Sequence, residues 1–343
     1  MEKGSGRVAP RIAIDGFTDD MTSLPAPKRV LITGASGCVG QYLVEELLAE
    51  TSHELVLVVR NPGKLPQAVS SSRRVTVIES DVGDVDSYRD RIGRIDIAFL
   101  VAACWGGQDA FRINVETNLA LTDHLARNGA SRVFYFATGS VIDADGEMLP
   151  AANELGSEYI RSKYRLVEEI EKRAGEVELV GLFPTLILGG GDGKPMSHFA
   201  NLLREARPWA WLARFFRADG KFHYVHARDI ARTARHLIDA PLDAFPNPRR
   251  LVLGNPALTA NEFIEQFSRY LGLRMPFGIE VKERLAEALI KIFRIQLSPW
   301  DRYCMKHRDL SYRTVFNPAD FGLPVHCPDT AAALSGIGIH GRR

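Results

Sequence analysis

"VLITGASGCVGQYLVEELL", residues 30–48, decides the fold. "VLIT" has the apolar run of a buried strand, and the following apolar residues recur at helical spacing, so three glycines fall in the turn between strand and helix. Gly34, Gly37 and Gly40 make a TGxxGxxG pattern. Positions without side chains let the backbone approach a pyrophosphate, and the helix start adds unpaired N–H donors and the positive end of its dipole. Gly34, Ser36, Gly37, Cys38, Val39 and Gly40 are therefore candidate cofactor contacts. A tight turn without a ligand is the plainer alternative; the strand-to-helix context favours a dinucleotide.

Downstream, short apolar runs alternate with amphipathic stretches, the signature of a parallel sheet with helices on both faces. Candidate strands are 29–33, 55–59, 74–79, 95–102, 132–138, 177–183 and 250–254, an α/β doubly wound Rossmann sheet. After Pro184 the rhythm breaks into a glycine-rich loop, an aromatic-rich segment and a helix, "HARDIARTARHLID", expected to pack back on the sheet. The expected organisation is a flexible leader over 1–27, a Rossmann domain over 28–189 and 222–255, and a smaller, mostly helical substrate lobe over 190–221 and 256–343. The part after Pro256 shows no clear strand alternation.

Lys plus Arg number 43 and Asp plus Glu 42, so net charge does not call for nucleic acid. Cys38, Cys104, Cys304 and Cys327 lack the paired spacings of zinc or disulfide frameworks. No run is long and apolar enough to span a membrane, and residues 1–27 lack a secretory core. The expectation is a soluble, non-secreted protein of the cytoplasm or an organelle stroma.

At the end of the second strand stands Arg60, 26 residues after Gly34, where the adenosine ribose of a dinucleotide should lie. An acidic residue there accepts the ribose hydroxyls; a guanidinium pairs with a 2′-phosphate instead. With Lys64 close by, Arg60 points to NADP, with NAD as the lesser option. A solvated turn arginine is the alternative. At the third strand end, Asp81 and Val82 are placed to meet adenine, although Asp81 equally suits a helix cap. Val101, Ala102 and Ala103 end the fourth strand in residues compatible with close ligand approach or close packing.

Tyr159 and Lys163 lie four apart, on one helix face. A phenol titrates near ~10 and works at neutral pH only if its anion is stabilised, which a nearby ammonium does. Thr138 ends the fifth strand at the ligand edge, where its hydroxyl can meet a substrate oxygen; Ser140 competes for that role.

In these motifs the chain resembles the extended short-chain dehydrogenase/reductases, over roughly residues 28–255. The resemblance implies Tyr159 as acid/base, Lys163 as the residue that lowers its pKa and binds the nicotinamide ribose, and Thr138 as orienter of the substrate oxygen. It implies cofactor-side roles for Asn114 and Pro184, and for Asp229 in closing the cofactor domain. Thr117 and Asn118 depart from the family's glycine-threonine pair. Phe183 stands where sugar-nucleotide enzymes often carry arginine, and "VID" replaces valine-tyrosine-glycine. These departures weigh against a sugar-nucleotide substrate more than against hydride chemistry.

"PWAWLARFF" suits a substrate wall, a membrane-facing lip or, as the favoured expectation, the small lobe's own core. Residues 281–297 gather their charges on one narrow side, as in a helix buried on several sides, a homodimer interface or a peripheral membrane contact. His223 and His226 alternate as on a strand and lack a third ligand, so they are expected to be structural and no metal is expected.

The leading expectation is an NADP-dependent oxidoreductase acting on a carbonyl or secondary alcohol of a small or hydrophobic substrate. The alternatives are a sugar-nucleotide epimerase or dehydratase that retains NAD, and a non-catalytic NADP-binding assembly or sensor protein.

Overall fold

In the computed structural model, residues 26–191, 193–243, 245–275, 277–281 and 296–341 are described. The expected leader, except for its last two residues, and most of the expected helix over 281–297 lie outside them.

Seven strands form one parallel sheet. The first six are β1 (Arg29–Thr33), β2 (Glu54–Val59), β3 (Val75–Glu79), β4 (Ile97–Leu100), β5 (Arg132–Phe136) and β6 (Glu178–Pro184), followed by Arg250–Leu253. Their order is Arg250–Leu253, β6, β5, β4, β1, β2, β3. The order reverses between β1 and β4, which is where doubly wound folds open a ligand crevice at the carboxyl edge.

Strands buried on both faces need helices on both. One face carries α1 (Cys38–Glu50) and the helix Ala227–His236, packed on Val30, Ile32, Leu55, Leu57 and Phe134. The other face carries Thr117–Arg127 and Glu158–Ile170, packed on Leu31, Val56, Ala98, Val133 and Tyr135. "HARDIARTARHLID" thus packs back on the sheet as expected.

A third, smaller core joins Leu188, Ala200, Leu203, Ala210, Tyr224, Phe267 and Leu334 in the mostly helical lobe. The lobe also contains short strands that its sequence does not announce. Leu258–Thr259 pairs antiparallel with Lys221–Phe222, and Ile279–Glu280 pairs parallel with Phe216–Arg217. Two-residue pairings are too short to print an alternation. The chain then returns along the Rossmann domain, where Phe316 bridges Leu253 and Phe321 packs on the first core.

The aromatic segment corrects the expectation of a lobe core. Phe215 and Phe216 are half-buried, but Trp209 and Trp211 are 62% and 55% exposed. Ala210 takes the inward position of that turn, and its neighbours face out.

Candidate active site

The β1–α1 turn requires its glycines. Gly34 adopts φ +70°, and a Cβ there would lie 2.7 Å from the Ala102 nitrogen; a Cβ at Gly40 would lie 2.1 Å from the Gly34 oxygen. Gly34 therefore admits the end of β4, and Gly40 lets α1 press onto the turn. α1 starts at Gly37 without a side-chain cap and without an acidic residue in its first turn, so its leading N–H groups meet no competing anion. These features fit a pyrophosphate, with Ser36, Cys38 and Val39 in the same turn. Burial pushes the Cys38 thiol up to about 12, an inert neighbour at that position.

At the end of β2, Arg60 is exposed and has no ion-pair partner among the described residues. Asn61 caps the following turn, Pro62–Lys64. The carbonyl of Lys64 accepts from the Gln41 amide at 3.0 Å, which ties the turn to α1. Past β3, the Asp81 carboxylate accepts from the Gly83 N–H at 2.7 Å and stands 3.8 Å from Arg112. Val82 is half-buried beside it, and its carbonyl accepts the Tyr88 hydroxyl at 2.8 Å. Val101, Ala102 and Ala103 run from the end of β4 past Gly34.

Residues Arg112–Glu116 form a π turn at the head of the Thr117–Arg127 helix. Such turns frequently mark functional sites. The wider turn shifts side-chain-to-carbonyl pairing by one residue. Thr117 donates to the Arg112 oxygen at 2.9 Å, and Asn118 donates to the Ile113 oxygen at 3.0 Å. The two departures from the family pattern are thus polar residues that satisfy carbonyls of this turn. Within it Asn114 is fully buried: its Oδ1 accepts from Cys104 N–H at 2.8 Å, while its Nδ2 donates to Cys104 O at 2.7 Å and Ser162 Oγ at 2.8 Å.

Ser157 caps the Glu158–Ile170 helix, and the buried face that follows includes Ser162 and Lys163. Lys163 is 1% exposed, and its ammonium donates to the Phe136 carbonyl at 2.7 Å. Two residues beyond Phe136, Thr138 caps a short turn by accepting from the Ser140 N–H at 3.3 Å. Its competitor Ser140 lies within 3.5 Å of it, so both hydroxyls share this strand end. Burial pushes the Tyr159 phenol up and the Lys163 ammonium down to about 7. Neither group draws a contribution from a charged neighbour among the described residues.

Trp105, which sequence reasoning missed, stacks on Tyr159 with ring centres 4.3 Å apart and meets the tilted ring of His198 at 4.0 Å. Asn114 holds the loop just before Trp105, and Glu158 accepts the Gly107 N–H at 2.7 Å just after it. A lone tryptophan among small residues at a strand end was the available signal. From the lobe, Tyr312 closes over the loop after Thr138; a Cβ at Gly139 would lie 2.6 Å from its hydroxyl oxygen. Pro184 ends β6, and the preceding Phe183 is fully buried against Tyr135.

Asp229 is fully buried, and its carboxylate accepts from the N–H groups of His326 and Cys327 at 2.6 and 3.1 Å, tying the late chain to the Rossmann domain. That return brings His326 and Cys327 to His226, with all donor atoms within 4.8 Å, the third partner that the sequence did not show. His226 Nδ1 accepts the Arg228 N–H at 3.1 Å, which leaves its proton on the inward Nε2. Burial, then the charges of His326 and Arg228, push its imidazolium down to about 3. His223, apart from this group, accepts the Tyr312 N–H at 3.0 Å and contacts Asn255 O at 2.8 Å, a structural role.

A cleft of about 600 Å³ opens at the amino edge of the sheet, beside Ser131, Glu171, Glu178 and Arg249, away from these residues. No helix among the described residues is long and apolar enough to cross a membrane.

Residues 30–254 match the model of the NAD dependent epimerase/dehydratase family. A 3-beta-hydroxysteroid dehydrogenase of Mycolicibacterium neoaurum is 24% identical over 328 residues, covering 84% of this chain and 87% of that protein. The Bordetella bronchiseptica enzyme WbmG, solved in complex with NAD, has a similar fold, with a TM-score of 0.61 at 16% identity over 91% of this chain and 93% of that one. The UDP-glucose 4-epimerase of Thermotoga maritima, solved with UDP-glucose, reaches 0.61 at 13% identity over 91% and 98%. At such identities the likeness of the two structures is one of fold.

Proposed function

The chain belongs to the NAD dependent epimerase/dehydratase family, of the extended short-chain dehydrogenase/reductase kind, and from that premise we propose that it is an NADP-dependent oxidoreductase. Its substrate would carry a carbonyl or secondary alcohol on a small or hydrophobic body. The observation that carries this proposal is the placing of Lys163, fully buried one turn after Tyr159 and bonded to the strand that leads to Thr138.

The bound nicotinamide supplies or accepts the hydride. In the reductive direction Tyr159 gives its phenolic proton to the substrate oxygen, while the Thr138 hydroxyl donates a hydrogen bond to the same atom. The Lys163 ammonium stabilises the phenolate left behind and binds the nicotinamide ribose. Asn114 acts at one remove, holding the Trp105 loop and Ser162. The β1–α1 turn holds the pyrophosphate, Asp81 and Val82 border the adenine, Val101 to Ala103 and Pro184 border the remaining length, and Arg60 with Lys64 receives the 2′-phosphate.

Trp105 covers one face of Tyr159 with aromatic surface, and Tyr312 covers Gly139 just after Thr138, which supports an apolar substrate. The sugar-nucleotide alternative has the family's name behind it, and it predicts NAD that survives purification. The test is NADPH and NADH binding with turnover over a carbonyl panel, for the native protein and for Tyr159→Phe. NADPH-preferring turnover lost in the variant supports the assignment. Unchanged turnover in Tyr159→Phe overturns the acid/base, and tightly retained NAD overturns the cofactor.

A further inference from the structure

The helix His198–Ala206 starts at the Tyr159–Trp105–His198 ring cluster and leads away from it into the turn Arg207–Trp209 and the short helix Ala210–Ala213. Leu203 and Ala210 are buried there, whereas Leu202, Trp209 and Trp211 are 57%, 62% and 55% exposed. The edge continues through Arg214, which donates to Trp211 O at 3.0 Å and to Arg274 O at 2.9 Å. Pairing of Phe216 with Ile279 then brings up Phe277 and Ile279, 76% and 44% exposed. Large apolar side chains exposed along one edge are the kind of surface that interaction sites use.

The charges along this edge are mostly of one sign. Residues 198–217 and 274–281 hold Arg204, Arg207, Arg214, Arg217 and Arg274 against Glu205 and Glu280, in a chain of net charge +1. Exposed indoles beside guanidinium groups match a lipid–water boundary, where the rings sit at headgroup level and basic residues meet anionic phosphate. A second copy would bring the same arginines against each other across a two-fold contact, like charge to like.

We propose that this edge docks on an anionic lipid bilayer. From His198 to Trp209 the chain rises about 17 Å at ~1.5 Å per residue. A docked molecule therefore holds its catalytic mouth close to the bilayer, within reach of apolar substrates dissolved there. That consequence rests on the proposed function; the docking does not.

The full chain is sedimented with sucrose-loaded vesicles of phosphatidylcholine alone and of phosphatidylcholine with phosphatidylglycerol. Binding is expected only to the anionic vesicles, weakening as salt rises, with tryptophan fluorescence quenched by brominated lipid. Trp209→Ser/Trp211→Ser is expected to lose most binding, and Arg204→Gln/Arg207→Gln about five-fold per charge. Both variants alter exposed positions, so melting and NADPH affinity should stay unchanged, which separates this outcome from a failed cofactor assignment. Absence of wild-type binding to either vesicle overturns the proposal, as does undiminished binding by both variants. A dimer in sedimentation equilibrium that the tryptophan variant dissociates overturns it in favour of a second copy.

Discussion

At the amino edge of the sheet, charges find partners. Arg132 bonds Glu178 at 2.6 Å and the carbonyls of Leu237, Ile238 and Ala240. Arg250 grips both oxygens of Glu171 at 2.8 Å, and Tyr135 donates to the same carboxylate at 2.8 Å. At the carboxyl edge, among the described residues, Arg60 has no ion-pair partner and the Lys163 ammonium donates to a single carbonyl. One edge commits its charged groups to the fold, and the other leaves Arg60 and Lys163 with few partners among the described residues. The difference follows from topology: the crevice opens where the strand order reverses, at the carboxyl edge.

The largest effect expected from this contrast is on chemistry. Tyr159→Phe should lower kcat about 10²- to 10⁴-fold, as loss of a general acid does, with melting temperature and NADPH affinity nearly unchanged. Steady-state kinetics alongside calorimetry checks it. A comparable loss of stability would mean the carboxyl edge also holds the fold.

The opposite edge should respond the other way. Glu171→Ala leaves Arg250 and the Tyr135 hydroxyl without their carboxylate. Unfolding free energy should fall toward the lower end of the ~3–5 kcal/mol seen for broken buried pairs, because these side chains keep 12% and 17% exposure. Denaturant melts give the loss, and turnover per folded molecule should not change.

Arg60→Asp should weaken NADPH relative to NADH by roughly ten- to a hundred-fold, the scale of a charge-assisted hydrogen bond. Titration with both cofactors reads it out, and an unaltered ratio removes Arg60 from the 2′-phosphate site.

Lys163→Met sharpens the comparison with the smallest shift. In the folded chain burial lowers this ammonium from 10.5 to about 7. Below pH ~7 both states hold the proton and the native state bears the full cost of the buried charge. Between ~7 and ~10 only the unfolded state keeps it, so native stability rises with pH. The variant should therefore melt a few degrees above the cofactor-free wild type at pH 6 and by less at pH 9, while losing turnover. A gain independent of pH would assign the effect to packing alone.

Much of this was legible in the sequence because it is local. The strand–glycine–helix turn, the strand periodicity and the four-residue spacing of Tyr159 and Lys163 are written in neighbouring positions. Trp105 was missed because nothing local says that a loop tryptophan will lie on a helix 54 positions later. Trp209 and Trp211 were expected inside because composition does not tell which face of a turn meets the core. His326 and Cys327 reach His226 only through the long return that Asp229 anchors.

By itself the sequence determined the doubly wound sheet, the place of the dinucleotide turn and the candidate acid/base pair, since each rests on periodicity or spacing within one element. Tertiary structure alone decided that Asn114 holds a loop, that Trp105 and Tyr312 close over the candidate site, and that the aromatic edge faces outward. Those outcomes depend on contacts between distant segments, and burial is settled only when the whole chain has packed.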